Sequence, residues 1–309
     1  MEKKLLRTKD DDQFAMYIYD DLQEIKGIVQ IVHGKSEHLG RYQEFAQFLN
    51  SQSYLVIGVD LLGHGLTADL DWMQANGANK VGKKGYIGKL GYQIIYQAIE
   101  DVFTYARDVY DNDNYILFGH SMGSFIVKDF LRVSKVQLNK VVLSGTGYNK
   151  YEAKLGLTVC KVIKLFKRDE EISKLLIKLI DEPLNKRFKS EGENAWLSTN
   201  AESNKRFIED PLTKITFTIN AYEQMFKAID NFFKAENIMS TKTILSISGK
   251  DDPVGEYSKA IGKNKKHFED KLNIKFEEII YESMRHEVLN EINKEKVYQD
   301  ILKYITKRS

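Results

Sequence analysis

The chain is poor in the residues that mark several protein classes. It carries a single cysteine, Cys160, so neither a disulfide framework nor a cysteine-rich zinc site can be built. The apolar neighbours Val159 and Val162 point to a buried thiol rather than a reactive one. Prolines number only three, and no low-complexity linker or repeat interrupts the sequence. No apolar run approaches the roughly 20 residues that span a bilayer. Residues 1–6 lack the apolar core of a signal peptide, so a soluble, cytoplasmic protein is the expectation. An excess of one charge is missing too. Lys and Arg total 46 against 44 Asp and Glu, a net charge of +2, which leaves no electrostatic footprint for nucleic acid. The lysine run at 263–266 reads as the solvated face of a helix.

What is present is apolar material, 42% of 309 residues. That suffices for one large α/β domain with an insertion, or for two ordinary domains. Short apolar runs at 27–32, 54–59, 115–118, 141–143, 244–247 and 274–281 read as strands, and 14–19 alternates like a half-exposed one. Helices are expected at 41–51, at 125–133 and at about 295–305. A long helix is marked by Ile94, Ala98, Val102, Tyr105 and Val109 on one face. Strands alternating with helices imply a mostly parallel sheet covered on both sides. The rhythm breaks between about 145 and 239, where only helices are read. One α/β core, 1–144 with 240–309, interrupted by a helical insertion at 145–239, is the simplest account. The insertion enters and leaves beside the carboxyl ends of strands, where such sheets bind ligands.

Gly119-His120-Ser121-Met122-Gly123 sits between a strand and a helix, the context of a nucleophile elbow. The turn there demands small residues on both sides and leaves the Ser121 hydroxyl at its tip. A serine needs a base, and the base needs an orienting acid. Of the two histidines downstream of Ser121, His267 lies in a charged helical stretch and reads as solvated. His286 follows a strand in a loop that can reach the elbow, and it is the expected base. The acid belongs to the loop Ser248-Gly249-Lys250-Asp251-Asp252-Pro253, where spacing alone does not separate Asp251 from Asp252. One of the pair is expected to form the turn and the other to orient His286. A tetrahedral intermediate needs two N–H donors. The backbone N–H of Met122 and that of Lys35, in His33-Gly34-Lys35 after an early strand, are the candidates. Asp60 and His64, in Asp60-Leu61-Leu62-Gly63-His64-Gly65, are read as loop ties. The spacings of His33, His38, Asp60 and His64 match no standard zinc pattern.

Together these motifs resemble the α/β-hydrolase superfamily, and within it the monoacylglycerol lipase and lysophospholipase group that is merged with serine aminopeptidases. The narrower resemblance rests on His33-Gly34-Lys35-Ser36-Glu37-His38-Leu39-Gly40-Arg41-Tyr42, on Asp60-x-x-Gly63-His64-Gly65, on 119–123, and on Arg285-His286-Glu287 followed by Asn290-Glu291. Trp196-Leu197 and Asp210-Pro211-Leu212 are similar to the family's cap. The family places its acid three residues after the loop glycine, which from Gly249 gives Asp252. The resemblance implies a catalytic set of Ser121, Asp252 and His286, with Lys35 and Met122 N–H groups as the oxyanion hole. It implies a cap over an acyl pocket, no cofactor, and hydrolysis of a carboxylic ester such as a monoacylglycerol or lysophospholipid. The cap's apolar stripes, Leu155 to Phe166 and Leu175 to Ile180, are expected to pack on the main domain. A sharper reading adds transient contact of the cap's lysines with a lipid surface. An aminopeptidase, using an acid such as Glu191, Glu193 or Glu209 for the substrate's amino group, and a non-catalytic binding module are the alternatives. The polar stretch 68–90 has no assigned role.

Overall fold

In a computed structural model, residues 1–307 are described. Eight strands form one sheet in the order β1-β2-β4-β3-β5-β6-β7-β8. They are β1 (Glu2–Arg7), β2 (Gln13–Tyr19), β3 (Gly27–Val32), β4 (Tyr54–Val59), β5 (Tyr115–His120), β6 (Lys140–Ser144), β7 (Thr243–Gly249) and β8 (Lys275–Tyr281). From β4 to β8 all neighbours are parallel, while β2 runs antiparallel to both β1 and β4. The helices are α1 (Gln43–Ser51), α2 (Leu70–Ala75), α3 (Gly91–Tyr110), α4 (Met122–Val133), α5 (Lys150–Ile163), α6 (Lys174–Leu176), α7 (Ala201–Glu209), α8 (Ile219–Phe232), α9 (Lys259–Leu272) and α10 (Lys294–Thr306). This is an α/β-hydrolase architecture.

Strands β3 to β6 are buried throughout, as a parallel sheet with helices on both faces requires. Residues from α1 and α10 cover one face, and residues from α3, α4, α8 and α9 cover the other. Strand β2 corrects the sequence reading. Its alternation is real, with Phe14, Met16 and Ile18 in one core and Ala15, Tyr17 and Tyr19 in the other. Both sets are buried, however, so the strand is not half-exposed. Strand β1, which the pattern did not reveal, extends the sheet to this edge. In α3 the buried face is Ile95, Ala98, Ile99, Val102, Phe103 and Ala106. It is rotated from the expected stripe, and Val109 is exposed. Alanines at 98 and 106 let the helix approach the sheet closely, and that contact selects the face.

The topology fixes where a ligand can sit. Strand β3 connects to β4 on one side, whereas the chain next returns to β5 on the other side of β3. The loops after β3 and β5 therefore diverge and leave a crevice at the carboxyl ends. The first loop carries His33-Gly34-Lys35 and the second carries Ser121. Between β6 and β7 the chain forms α5 to α8, with a π-turn at Ile177–Asp181 and a 3₁₀ stretch at Glu182–Glu191. Helix α8 packs on α4 and α5, and its apolar residues join the core above the sheet. The stretch 68–90 braces this segment. Thr218 donates to the Gly85 carbonyl through both N–H and Oγ, and Asn220 bonds Ile87 and Gly88.

Candidate active site

Ser121 stands between β5 and α4 with φ 51° and ψ −120°. A non-glycine residue there is strained and persists only where its surroundings over-determine it. They do. Ser121 N–H donates to the Ser144 carbonyl on β6 at 2.8 Å, and its own carbonyl accepts from Ser124 N–H at 2.9 Å. The elbow glycines are required by space. A Cβ on Gly123 would strike the Val32 carbonyl, and one on Gly119 would lie 2.8 Å from the Gly123 oxygen.

The two aspartates after β7 have different fates. Asp252 is fully buried, and its Oδ1 accepts from His286 Nδ1 and from Val254 N–H, both at 2.9 Å. One residue thus forms the turn and orients the histidine. Asp251 points outward to Arg187 at 3.0 Å. With Nδ1–H donated to Asp252, His286 Nε2 carries the lone pair. That atom is buried and has no partner among the described residues. The imidazole is held by the Trp196 ring at 4.9 Å and the His120 ring at 4.8 Å. Gly145, at φ +59°, leaves room for it, since a Cβ there would meet the ring at 2.8 Å. Burial pushes the His286 pKa down, but the Asp252 carboxylate, aided by Glu287 and Glu37, outweighs burial and holds it above 6.5.

Among the described residues, the backbone N–H groups of Lys35 and Met122 donate to no protein acceptor. The loop bearing Lys35 is anchored by Glu37, whose Oε1 accepts from Gly34 N–H at 2.5 Å and from the Tyr42 hydroxyl at 2.8 Å. Arg41 links Glu37 (2.9 Å) to Glu287 (two bonds of 2.7 Å), and Glu287 is the neighbour of His286. Glu37 and Arg41 lie in the quoted motif, and their i, i+4 spacing is the signal that could have marked them. Trp196 is marked by the family resemblance alone, and its contact with His286 has no local signal.

Asp60 and His64 act as loop ties. Asp60 accepts from Leu39 and Leu66 N–H and from the Tyr17 hydroxyl, and burial raises its pKa to about 6 despite these donors. His64 Nδ1 donates to the Leu62 carbonyl, and His33 Nε2 accepts from Leu61 N–H. His38 Nε2 reaches Asp210 at 2.9 Å. His267 departs from expectation. It is 4% exposed, ringed by Phe232, Phe233 and Tyr148, and burial lowers its pKa to about 4. It shares the inward stripe of α9 with Asn264 and Ala260 while the lysines face out. Cys160 is buried, although Val162 is not.

Ser121, His286, Lys35 and Met122 all line a cavity of about 990 Å³. Much of its lining is apolar, including Phe125, Val159, Leu176, Ile180, Met225 and Phe226. The expected packing of the helical stripes holds only in part. Leu155, Val162, Leu165, Phe166, Leu175 and Leu179 are exposed, Phe166 by 83%.

A family model described as serine aminopeptidase, S33, matches residues 23–293. The chain belongs to that family of α/β-hydrolases. The sequence is 29% identical to a monoglyceride lipase homolog of Monkeypox virus over 126 residues, which are 41% of this chain and 40% of that protein. It is equally identical to a monoacylglycerol lipase of Mycolicibacterium smegmatis over 131 residues, again 41% and 40%. The matched stretch spans about two-fifths of the length of these relatives. Among solved structures, a thermostable carboxyl esterase from Bacillus coagulans superposes with a TM-score of 0.84 at 23% identity, covering 98% of this chain and 97% of that one. A monoacylglycerol lipase from Paleococcus ferrophilus gives 0.70 at 19% identity, covering 94% and 98%. At these identities the superpositions establish the fold.

Proposed function

We propose that the protein is a serine hydrolase of carboxylic esters, with a monoacylglycerol or lysophospholipid as substrate. The observation that carries this is the free Nε2 of an aspartate-bound His286, facing the same cavity as the strained Ser121. Ser121 Oγ attacks the ester carbonyl while His286 Nε2 takes its proton. The oxyanion accepts from Lys35 and Met122 N–H groups. His286 then protonates the leaving alcohol, and water cleaves the acyl-enzyme by the same route. Asp252 holds the imidazole and stabilises its cationic form. No step requires a cofactor. The apolar part of the lining suits an acyl chain, in keeping with the lipase relatives.

Residues 145–239 act as a cap over this cavity. Its exposed Leu165 and Phe166 stand beside Lys161, Lys164, Lys167 and Arg168, a combination suited to transient contact with an anionic lipid surface. Glu193 at the cavity supports a second reading, an aminopeptidase that would pair this acid with a substrate amino group. A fluorophosphonate probe and parallel assays with p-nitrophenyl esters and aminoacyl-nitroanilides separate the readings. Labelling lost in Ser121→Ala, with esters preferred, is expected. Preference for anilides would favour the peptidase, and absence of labelling would favour a binding module.

A further inference from the structure

The side chain of Lys35 reaches across the cavity wall to the helical segment. Its ammonium is ion-paired with Asp181 and lies 3.2 Å from the Tyr222 hydroxyl. It sits over the rings of Phe217 and Tyr222, each at 4.8 Å. The second Asp181 oxygen accepts from the Tyr222 hydroxyl. Lys35, Asp181 and Tyr222 therefore close a ring of charge-assisted bonds. Tyr222 belongs to α8, whose apolar face is embedded in the core. Asp181 ends the π-turn at Ile177–Asp181, a helix irregularity that is frequent at functional sites. The next residue, Ser36, has φ +57° and bonds the Ile215 carbonyl through Oγ at 2.9 Å. A loop with such a residue needs external ties to hold one conformation.

We propose that the Lys35 side chain is a positioning residue: clasped by Asp181 and Tyr222, it fixes the direction of its own backbone N–H as an oxyanion donor. This rests on the hydrolase reading above. The ammonium is paired with Asp181 and lies over two rings, so protein groups at the cavity wall already meet its charge. Its task is mechanical. The π-turn and α8 hold the end of a lever whose other end is the donor.

The test is steady-state hydrolysis of p-nitrophenyl butyrate by wild type, Lys35→Met, Asp181→Asn, Tyr222→Phe and the Lys35→Met/Asp181→Asn double variant, with fluorophosphonate labelling and Tm for each. Complete loss of an oxyanion donor costs about 10²–10³ in kcat. A donor left in place but free to wander should cost about tenfold, with KM within about twofold. The double variant should be no slower than Lys35→Met, and affinity for an alkyl boronic acid, which binds as a tetrahedral anion, should fall with kcat. Unchanged kcat in Lys35→Met overturns the proposal, as does a rise in KM at constant kcat, which would make Lys35 a substrate-binding group. If Lys35→Met does not fold, Asp181→Asn and Tyr222→Phe decide on the same criteria. Wild type that is labelled at Ser121 while the variants keep full kcat removes this inference alone. Wild type that is neither labelled nor active removes the hydrolase reading and this one with it.

Discussion

Arg41 holds Glu287 through two parallel N–H···O bonds of 2.7 Å, joining the loop after β3 to the residue beside His286. Arg41 also bonds Glu37, so one guanidinium neutralises two buried carboxylates. Removing it in Arg41→Ala strands both, and loss of a buried partner costs about 3–5 kcal/mol. Chemical denaturation should show that loss. Burial raises the Glu287 pKa, but Arg41 outweighs it and brings the value down to about 2. The stabilisation from Glu287 is therefore fully present above its ordinary 4.5 and is lost as pH falls towards 2. Glu287→Gln should flatten the acid limb of a Tm-against-pH curve, and an unaltered limb would contradict this account.

The aspartate pair predicts a sharp contrast. Asp252→Asn should reduce kcat by about 10⁴, because an amide presents the wrong hydrogen-bonding partner to His286 Nδ1–H. Asp251→Asn, which loses only a partly exposed pair with Arg187, should keep kcat near wild type. A loss confined to Asp251→Asn would reverse the assignment, and equal losses would contradict it.

In the proposed ester hydrolysis the base is the neutral His286 imidazole. Because Asp252 holds its pKa above 6.5 against the opposing effect of burial, kcat/KM should fall on acidification with an inflection above that value. In Asp252→Asn burial acts without the anion, and the imidazole titration followed by NMR should move below wild type. An inflection unmoved by this substitution would mean that another group titrates.

The exposed Leu165 and Phe166 predict an effect confined to lipid surfaces. A Leu165→Ser/Phe166→Ser variant should co-sediment less with vesicles containing anionic phospholipid. It should keep its rate on soluble p-nitrophenyl butyrate, since neither residue lines the cavity. Equal sedimentation of wild type and variant would exclude this surface as the contact.

Much of the fold was legible because its strands are short apolar runs closed by loops that carry the chemistry. Strand 54–59 coincides with β4, and the elbow follows β5 as its glycines require. Ser121, His286 and the loop bearing Asp252, the proposed catalytic set, announce themselves through local turn chemistry. What was not legible depends on neighbours distant in sequence. The burial of His267 is set by Phe232 and Tyr148, on other elements. The exposure of Leu165 and Phe166 follows from where the main domain ends, which periodicity does not encode. Asp181 and Tyr222 meet Lys35 only after the whole sheet has been assembled.

Helix α8 has a further consequence. It buries Ile219, Tyr222, Met225, Phe226, Ile229 and Phe232, and at about 1.5–3 kcal/mol for each large side chain lifting it away would cost about 10 kcal/mol or more. That matches the entire stability of an ordinary domain. Helix α8 therefore stands as a fixed doorpost of the cavity, and whatever enters must pass without displacing it.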